Sequence, residues 1–375
     1  MAGIYVHIPF CKQACHYCNF HFTTSLSRKN EMVAGLLKEI QLQQSYLENE
    51  VVETIYLGGG TPSLLEMEDC RALIEEIRSS FAVSERVEIT LEANPDDITA
   101  QKLRGWKEAG INRLSIGIQS FFEEDLQWMN RAHNAEQSHA CIKLSQEYGF
   151  SNFSIDLIYG TPLLDDEKWK QNVNTAISYN IPHLSCYALT VEPKTPLSKL
   201  IQLHKSEDIN PDKQSHQFLL LIQYLEEVGY EHYEISNFAK PGFRSKHNSS
   251  YWQGKKYLGI GPSAHSFNGL SRQWNAANNA VYIKSINDNI LPIEKEDLTT
   301  IQQLNEYIMT SLRTIEGSDL NYIEKKWGKE ATIAMRSAAI KFISSGKIVT
   351  ENNLLRLTKE GKLFADGIAA ELFFL

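Results

Sequence analysis

Cys11, Cys15 and Cys18 fall within eight positions of one another in the stretch IYVHIPFCKQACHYCNF, residues 4–20. Thiolates at such spacing hold soft metals. Two chemistries fit these donors. A structural zinc ion takes four ligands in a closed tetrahedron, and His16 or His21 could supply the fourth. An iron–sulfur cubane is usually held by four cysteines, so three leave one iron without a protein ligand. A reactive centre needs such an open position, and a structural one avoids it. Cys70, Cys141 and Cys186 are scattered in apolar or helical surroundings and read as small core side chains.

Other residues with chemical capacity recur downstream. GGGTP, residues 58–62, contains Gly59, Gly60 and Thr61, and glycines let a ligand approach the backbone closely. LEANP carries Glu92, IGIQSF carries Gln119 as a bidentate amide, and MNRAHN carries Arg131, whose fork can grip a carboxylate. IDLIYGTP places Asp156 inside an apolar run, where a carboxylate is costly unless paired or hydrogen-bonded. Each has an ordinary reading alone: a tight turn, a solvated carboxylate, a surface arginine. Their shared position, near the ends of successive strands, is what sets them apart.

Those strands are legible. Six β-like segments occupy residues 3–10, 54–60, 87–95, 113–121, 152–160 and 183–191. Between them run amphipathic stretches such as RKNEMVAGLLKEIQLQQSYL, with Met32, Val33, Leu36, Leu37 and Ile40 at helical period. Alternating strand and helix at this spacing predicts βαβ units and a parallel sheet. No seventh or eighth unit follows, and the pattern fades near residue 235. The expected fold is therefore α/β, a partial (β/α)6 barrel over residues 1–235, with the thiols and polar residues on its catalytic, C-terminal face. Residues 236–297 are rich in Gly, Ser, Asn and aromatics, and read as connecting loops and short strands. Residues 298–375 read as helices plus a hairpin turning at Glu351-Asn352-Asn353, a mostly helical, winged-helix-like domain.

The 375 residues carry a net charge of −9, and acidic and basic residues balance in the C-terminal module, so nucleic-acid binding lacks its electrostatic footprint. No apolar run reaches the ~20 residues of a membrane span. MAGIYVHIPF shows no signal-peptide pattern, and a cytoplasmic location with reduced thiols is expected.

C-x3-C-x2-C after a first strand resembles the signature of the radical S-adenosylmethionine (SAM) superfamily. There the open iron chelates the amino and carboxylate groups of SAM. The reduced cluster then splits SAM into methionine and a 5′-deoxyadenosyl radical. The order Y-x-H-x-P-F-C, G-G-G-T-P, E-x-N-P, G-x-Q-S-F, R-x-H and D-L-I-Y-G is similar to the coproporphyrinogen-oxidase-like branch, over nearly the whole chain. The resemblance implies a 4Fe–4S cluster on Cys11, Cys15 and Cys18, with Tyr5 near the cluster or sulfonium. It also implies SAM contacts from Gly59, Gly60, Thr61, Glu92, Gln119, Arg131 and Asp156.

Within that branch, oxygen-independent coproporphyrinogen III oxidases carry a further cysteine two positions after the third, and an extension before the first strand. Phe20 occupies that position here, and the first strand begins near residue 3. A sister family, the radical SAM haem chaperones, lacks both and carries H-N-x-x-Y-W. HNSSYW matches it with His247, Asn248, Tyr251 and Trp252. The resemblance implies a haem site there, with His247 as an axial ligand on a loop beyond the core and aromatic neighbours over the macrocycle. His265, in GIGPSAHSF, is the nearest competing ligand. The implied function is delivery of haem to apo-haemoproteins, with membrane respiratory proteins as candidate recipients, without coproporphyrinogen oxidase activity. Homodimerisation is compatible with this reading, and the alternative is the oxidase itself.

Overall fold

A computed structural model describes residues 2–375. Its first strand shows how the sequence builds both faces of the sheet. In β1 (Ala2–Ile8), Ile4, Val6 and Ile8 are fully buried in the main core. The intervening Gly3, Tyr5 and His7 line the opposite, concave face. A Cβ on Gly3 would meet Thr54 Oγ1, and one on Gly58 would meet the Tyr5 and Tyr56 rings. Strand alternation thus separates an apolar layer under the helices from a polar interior.

Five more strands repeat the arrangement: β2 (Val52–Gly59), β3 (Val83–Ala93), β4 (Arg113–Gln119), β5 (Phe153–Tyr159) and β6 (His183–Ala188). All pair in parallel in sequence order. Register aligns Tyr5 with Tyr56 and Asp156 with Ser185, so interior side chains form layers.

Residues 236–297 do more than connect. β7 (Glu231–Glu234) and β8 (Asn237–Ala239) form an antiparallel ribbon beside β6. β9 (Lys256–Ile260) adds in parallel to the free side of β1. β10 (His265–Phe267), β11 (Ser271–Asn275) and β12 (Ile293–Asp297) continue outward in antiparallel fashion. The result is one twelve-stranded sheet that begins at β12 and ends at β7, leaving the barrel unclosed.

Glu39 anchors the added strands. It is fully buried on helix Lys29–Leu42. Its carboxylate accepts from Gly261 N at 2.7 Å, Asn275 Nδ2 at 2.7 Å, Tyr282 Oη at 2.5 Å and Gln43 Nε2 at 2.7 Å. These groups come from the end of β9, from β11, from helix Asn279–Asn287 and from the residue closing Glu39's own helix. Cys70, Cys141 and Cys186 are buried and free, as core side chains.

The C-terminal module has its own core, formed by Leu304, Ile308, Leu312, Ile323, Met335 and Ile348 among others. Helices Thr300–Leu312, Leu320–Trp327, Lys329–Ser344 and Ala365–Glu371 surround a small antiparallel sheet of β13 (Ser318–Asp319), β14 (Ile348–Glu351) and β15 (Leu354–Leu357). The wing turns at Asn352 and Asn353, both at positive φ (50° and 64°), which asparagine tolerates.

Candidate functional site

The three thiols sit on the loop leaving β1. Cys11 N donates to Thr23 O (3.0 Å) and Thr23 N to Pro9 O (2.9 Å), pinning the loop's two ends together. All three thiols are free and half-buried. Burial pushes the Cys11 thiol up to about 11 and raises Cys18 as well, so ligation would displace protons. His16 and His21 are both engaged elsewhere. His16 Nδ1 bonds the Trp128 carbonyl at 2.9 Å, and His21 Nε2 bonds Asn279 Oδ1 at 2.7 Å.

Arg131 ties this loop to the strand ends. Its Nη1 lies 3.2 Å from Cys15 Sγ, and its Nη2 donates to Asn94 Oδ1 (2.7 Å) and Gly117 O (2.9 Å). Arg131 Nε is buried without a protein partner, a donor left for something else. Asn94 Nδ2 lies 3.4 Å from Thr61 Oγ1, carrying the contacts on to GGGTP.

The glycines there are required by space. A Cβ on Gly60 would lie 2.6 Å from the Phe10 carbonyl oxygen, and Gly59, at φ 111°, has the His7 ring 2.6 Å from such a carbon. Gly59 N donates to Glu92 Oε2 (3.1 Å), and Tyr56 Oη donates to Glu92 Oε1 (2.9 Å). Burial first, and the Asp156 charge second, hold Glu92 up at about 7. Burial likewise raises Asp156 to about 6, against hydrogen bonds from Ser185 and Ser115 and the charges of Arg113 and Arg131. Gln119 closes β4 at φ 66°, an uncommon conformation for a side-chain-bearing residue, where the β4–β5 register shifts. Strain of this kind collects at ligand sites. Tyr5 Oη bonds His7 Nδ1 (3.2 Å), and the Tyr5 ring stacks against Tyr56 with centroids 6.0 Å apart.

Cys11, Cys15, Cys18, Arg131, Thr61, Gly59, Gly60, Glu92 and Gln119 thus gather at the C-terminal ends of β1 to β4, with Asp156 facing them from the middle of β5. Asn94, Tyr56 and Tyr17, whose hydroxyl lies 3.5 Å from Arg131 Nη1, join them, and the sequence patterns above do not single these out. Asn94 lay inside the E-x-N-P pattern. Tyr56 lay two residues before the glycines, on the same face, so strand alternation could have found it.

HNSSYW is placed differently from expectation. It forms helix Lys246–Trp252, not a loop, capped by Ser245. His247 is 1% exposed, beneath the barrel interior. Its Nδ1 bonds Thr54 Oγ1 at 2.8 Å and its Nε2 bonds Tyr251 Oη at 2.9 Å. It stacks on Tyr56 at 5.0 Å, and burial pushes it down to about 3. The helix start is held by Glu88, whose Oε1 accepts from Lys246 N and His247 N (3.0 and 3.2 Å). A carboxylate at a helix N-terminus is stabilising, and this one comes from β3. Trp252 faces away from the barrel, with Arg313 over its ring at 5.3 Å. Asn248 is half-buried between the two sides.

Six parallel strands, an open barrel and a three-thiol loop after β1 define a radical SAM fold, and the Radical SAM superfamily description matches residues 5–176. The coproporphyrinogen III oxidase HemN of Escherichia coli, described as a radical SAM enzyme, superimposes with a TM-score of 0.86. That superposition spans 99% of this chain and 90% of the other at 23% identity. A Bacillus subtilis protein named heme chaperone HemW is 33% identical over 98% of both chains. Its Escherichia coli K12 namesake is 37% identical over 70% of this chain and 69% of its own. The chain belongs to the HemW family of radical SAM proteins.

Proposed function

We propose that this chain is a haem chaperone that holds a 4Fe–4S cluster on Cys11, Cys15 and Cys18, binds SAM beside it, and delivers haem to apo-haemoproteins. The observation that carries the reading is similarity to a haem chaperone over 98% of both chains. The donor set of three free thiols on one loop suits a cluster with an open iron, which needs three protein ligands and a vacant position. When bound, the cluster supplies one-electron chemistry at its open iron.

The chain's own residues prepare the place for SAM. Gly59 and Gly60 keep the backbone clear, and Thr61 borders the cluster loop. Glu92 offers a carboxylate to an ammonium or hydroxyl group. Arg131 braces Cys15 and keeps one donor free, and Gln119 and Asp156 complete the polar rim. Tyr5 walls the interior below. The haem contact is helix Lys246–Trp252. His247, buried with both ring nitrogens engaged, acts there by fixing Tyr251, while Tyr251 and Trp252 offer their rings. Asn248 sits on the same short helix. Membrane respiratory proteins are candidate recipients. No helix of the described residues is long and apolar enough to cross a membrane.

Likeness of fold to HemN keeps a second reading in view: oxidative decarboxylation of coproporphyrinogen III. Phe20, 68% exposed beside the cluster loop, occupies the position of the additional cysteine of those oxidases. Anaerobic reconstitution followed by iron and sulfide analysis, haem titration and a coproporphyrinogen turnover assay separates the readings. The chaperone is expected to show cubane stoichiometry, saturable haem binding and no turnover. Turnover without haem binding would instead establish the oxidase.

A further inference from the structure

A cavity of about 910 Å³ separates helix Lys246–Trp252 from the C-terminal module, and no residue of helix Lys329–Ser344 lines it. Helix Lys329–Ser344 follows Leu320–Trp327 across Gly328, at φ 94°, as the second helix of a helix-turn-helix pair, and the wing comes after it. Its Ala331, Met335, Ala339 and Phe342 face the module core. The opposite face carries isoleucine. Ile333 and Ile340 are 58% and 59% exposed and stand two turns apart on one line, with Ile343, 40% exposed, at the next turn. Apolar residues scattered singly over a surface are ordinary, but an exposed row of them on one helix marks an interaction site.

The surroundings are basic. Residues 325–349 hold six lysines and arginines against one carboxylate, Glu330, in a chain whose net charge is −9. Lys341 pairs with Glu371, and Arg336 Nη2 donates to Asn353 Oδ1 at 2.8 Å. Lys325, Lys329 and Lys347 form no ion pair among the described residues. Lys347 instead rests over the Phe364 ring at 4.4 Å. So local a positive field on an acidic protein favours a negatively charged partner.

Ile333, Arg336, Ile340 and Ile343 follow the 3-4-3 spacing of a coiled-coil seam. A seam this narrow fits one helix. A second helix that reads DNA does so with polar side chains, and isoleucines at its centre offer the bases no donors. A helix lying in a bilayer surface buries a broad apolar face with Trp, Phe or Leu, whereas exposed Ser337 and Ser344 interrupt such a face here. We propose that the outer face of helix Lys329–Ser344 docks an acidic amphipathic helix of a partner protein. The partner's a and d side chains would pack on the three isoleucines. Its carboxylates would lie toward Lys325 and Lys329 at one end of the helix and Lys347 beyond the other.

The test uses the full chain and a fluorescent synthetic helix of about three heptads, with leucine at a and d and glutamate elsewhere, followed by anisotropy. The same peptide with lysine in place of glutamate, a DNA duplex and vesicles rich in phosphatidylglycerol are titrated alongside. Wild type is expected to bind the glutamate peptide about tenfold or more tighter than the lysine peptide. The double variant Ile333→Ser, Ile340→Ser is expected to raise that Kd by about tenfold or more, and Lys329→Glu by about threefold or more. All three positions are exposed, and an unmoved thermal midpoint separates loss of contact from loss of fold. No binding of the glutamate peptide, equal binding of the two peptides, or affinities that the variants leave unchanged would overturn the docking surface. Binding of the duplex or the vesicles alone, lost in the same variants, would assign the face to nucleic acid or lipid and overturn it too.

Discussion

Glu92 concentrates the chemistry of the barrel mouth. It accepts from Tyr56 and Gly59, and desolvation together with Asp156 holds it at about 7. A carboxyl whose folded value is raised stabilises the native state fully below its unfolded value, and that stability is lost as pH rises through about 7. Binding of SAM through an amino or hydroxyl group that donates to Glu92 works in the other direction, since it favours the ionised carboxylate. SAM affinity measured by calorimetry is therefore expected to climb between about pH 6 and 8, and Glu92→Gln to flatten the climb. A flat wild-type profile would remove Glu92 from the SAM contact. His247 makes a second residue-scale case. Both its nitrogens are engaged, at 2.8 and 2.9 Å. His247→Ala should weaken haem binding by loosening Tyr251, yet leave the Soret maximum where it was. A shifted maximum would restore His247 as an iron ligand. Its residue type was legible in the sequence and its burial was not. Thr54 and Glu88, which hold it, lie 193 and 159 positions away.

At the scale of elements, the six βα units could be read because apolar runs and helical periodicity are local signals. The loop of three thiols was equally plain, since ligand spacing is local too. Residues 236–297 carried weaker signals. β10 is only three residues long, β9 and β11 are five each, and their stability comes from the sheet they join. The helix of HNSSYW is seven residues long, too short to announce itself by periodicity, and it depends on Ser245 and Glu88 at its start. Glu39 is the non-local element in this part of the fold. Replacing it with Ala strands the hydrogen-bond donors of Gly261, Asn275 and Tyr282 inside the core. The expected loss is about 3–5 kcal/mol in urea unfolding, with β9 to β12 the region whose amide protection falls most. A loss below ~1 kcal/mol would show that these strands hold on β1 without it.

For the whole molecule, the sheet order explains why the two ends of the barrel are built differently. The mouth, where β1 to β5 end, gathers the thiols and Glu92, and the floor is sealed by His247 from outside the sheet. That floor is about two turns of helix. One side of it presses His247 onto Tyr56, whose hydroxyl holds Glu92, and the other presents Trp252 to the cavity beside the C-terminal module. The helix is therefore a partition shared by two chambers. Any ligand that binds one position of this partition better than another must change the affinity of the opposite chamber, and by linkage the second ligand returns the same factor to the first. Ligands in the two compartments would then weigh against each other as on two pans of one balance.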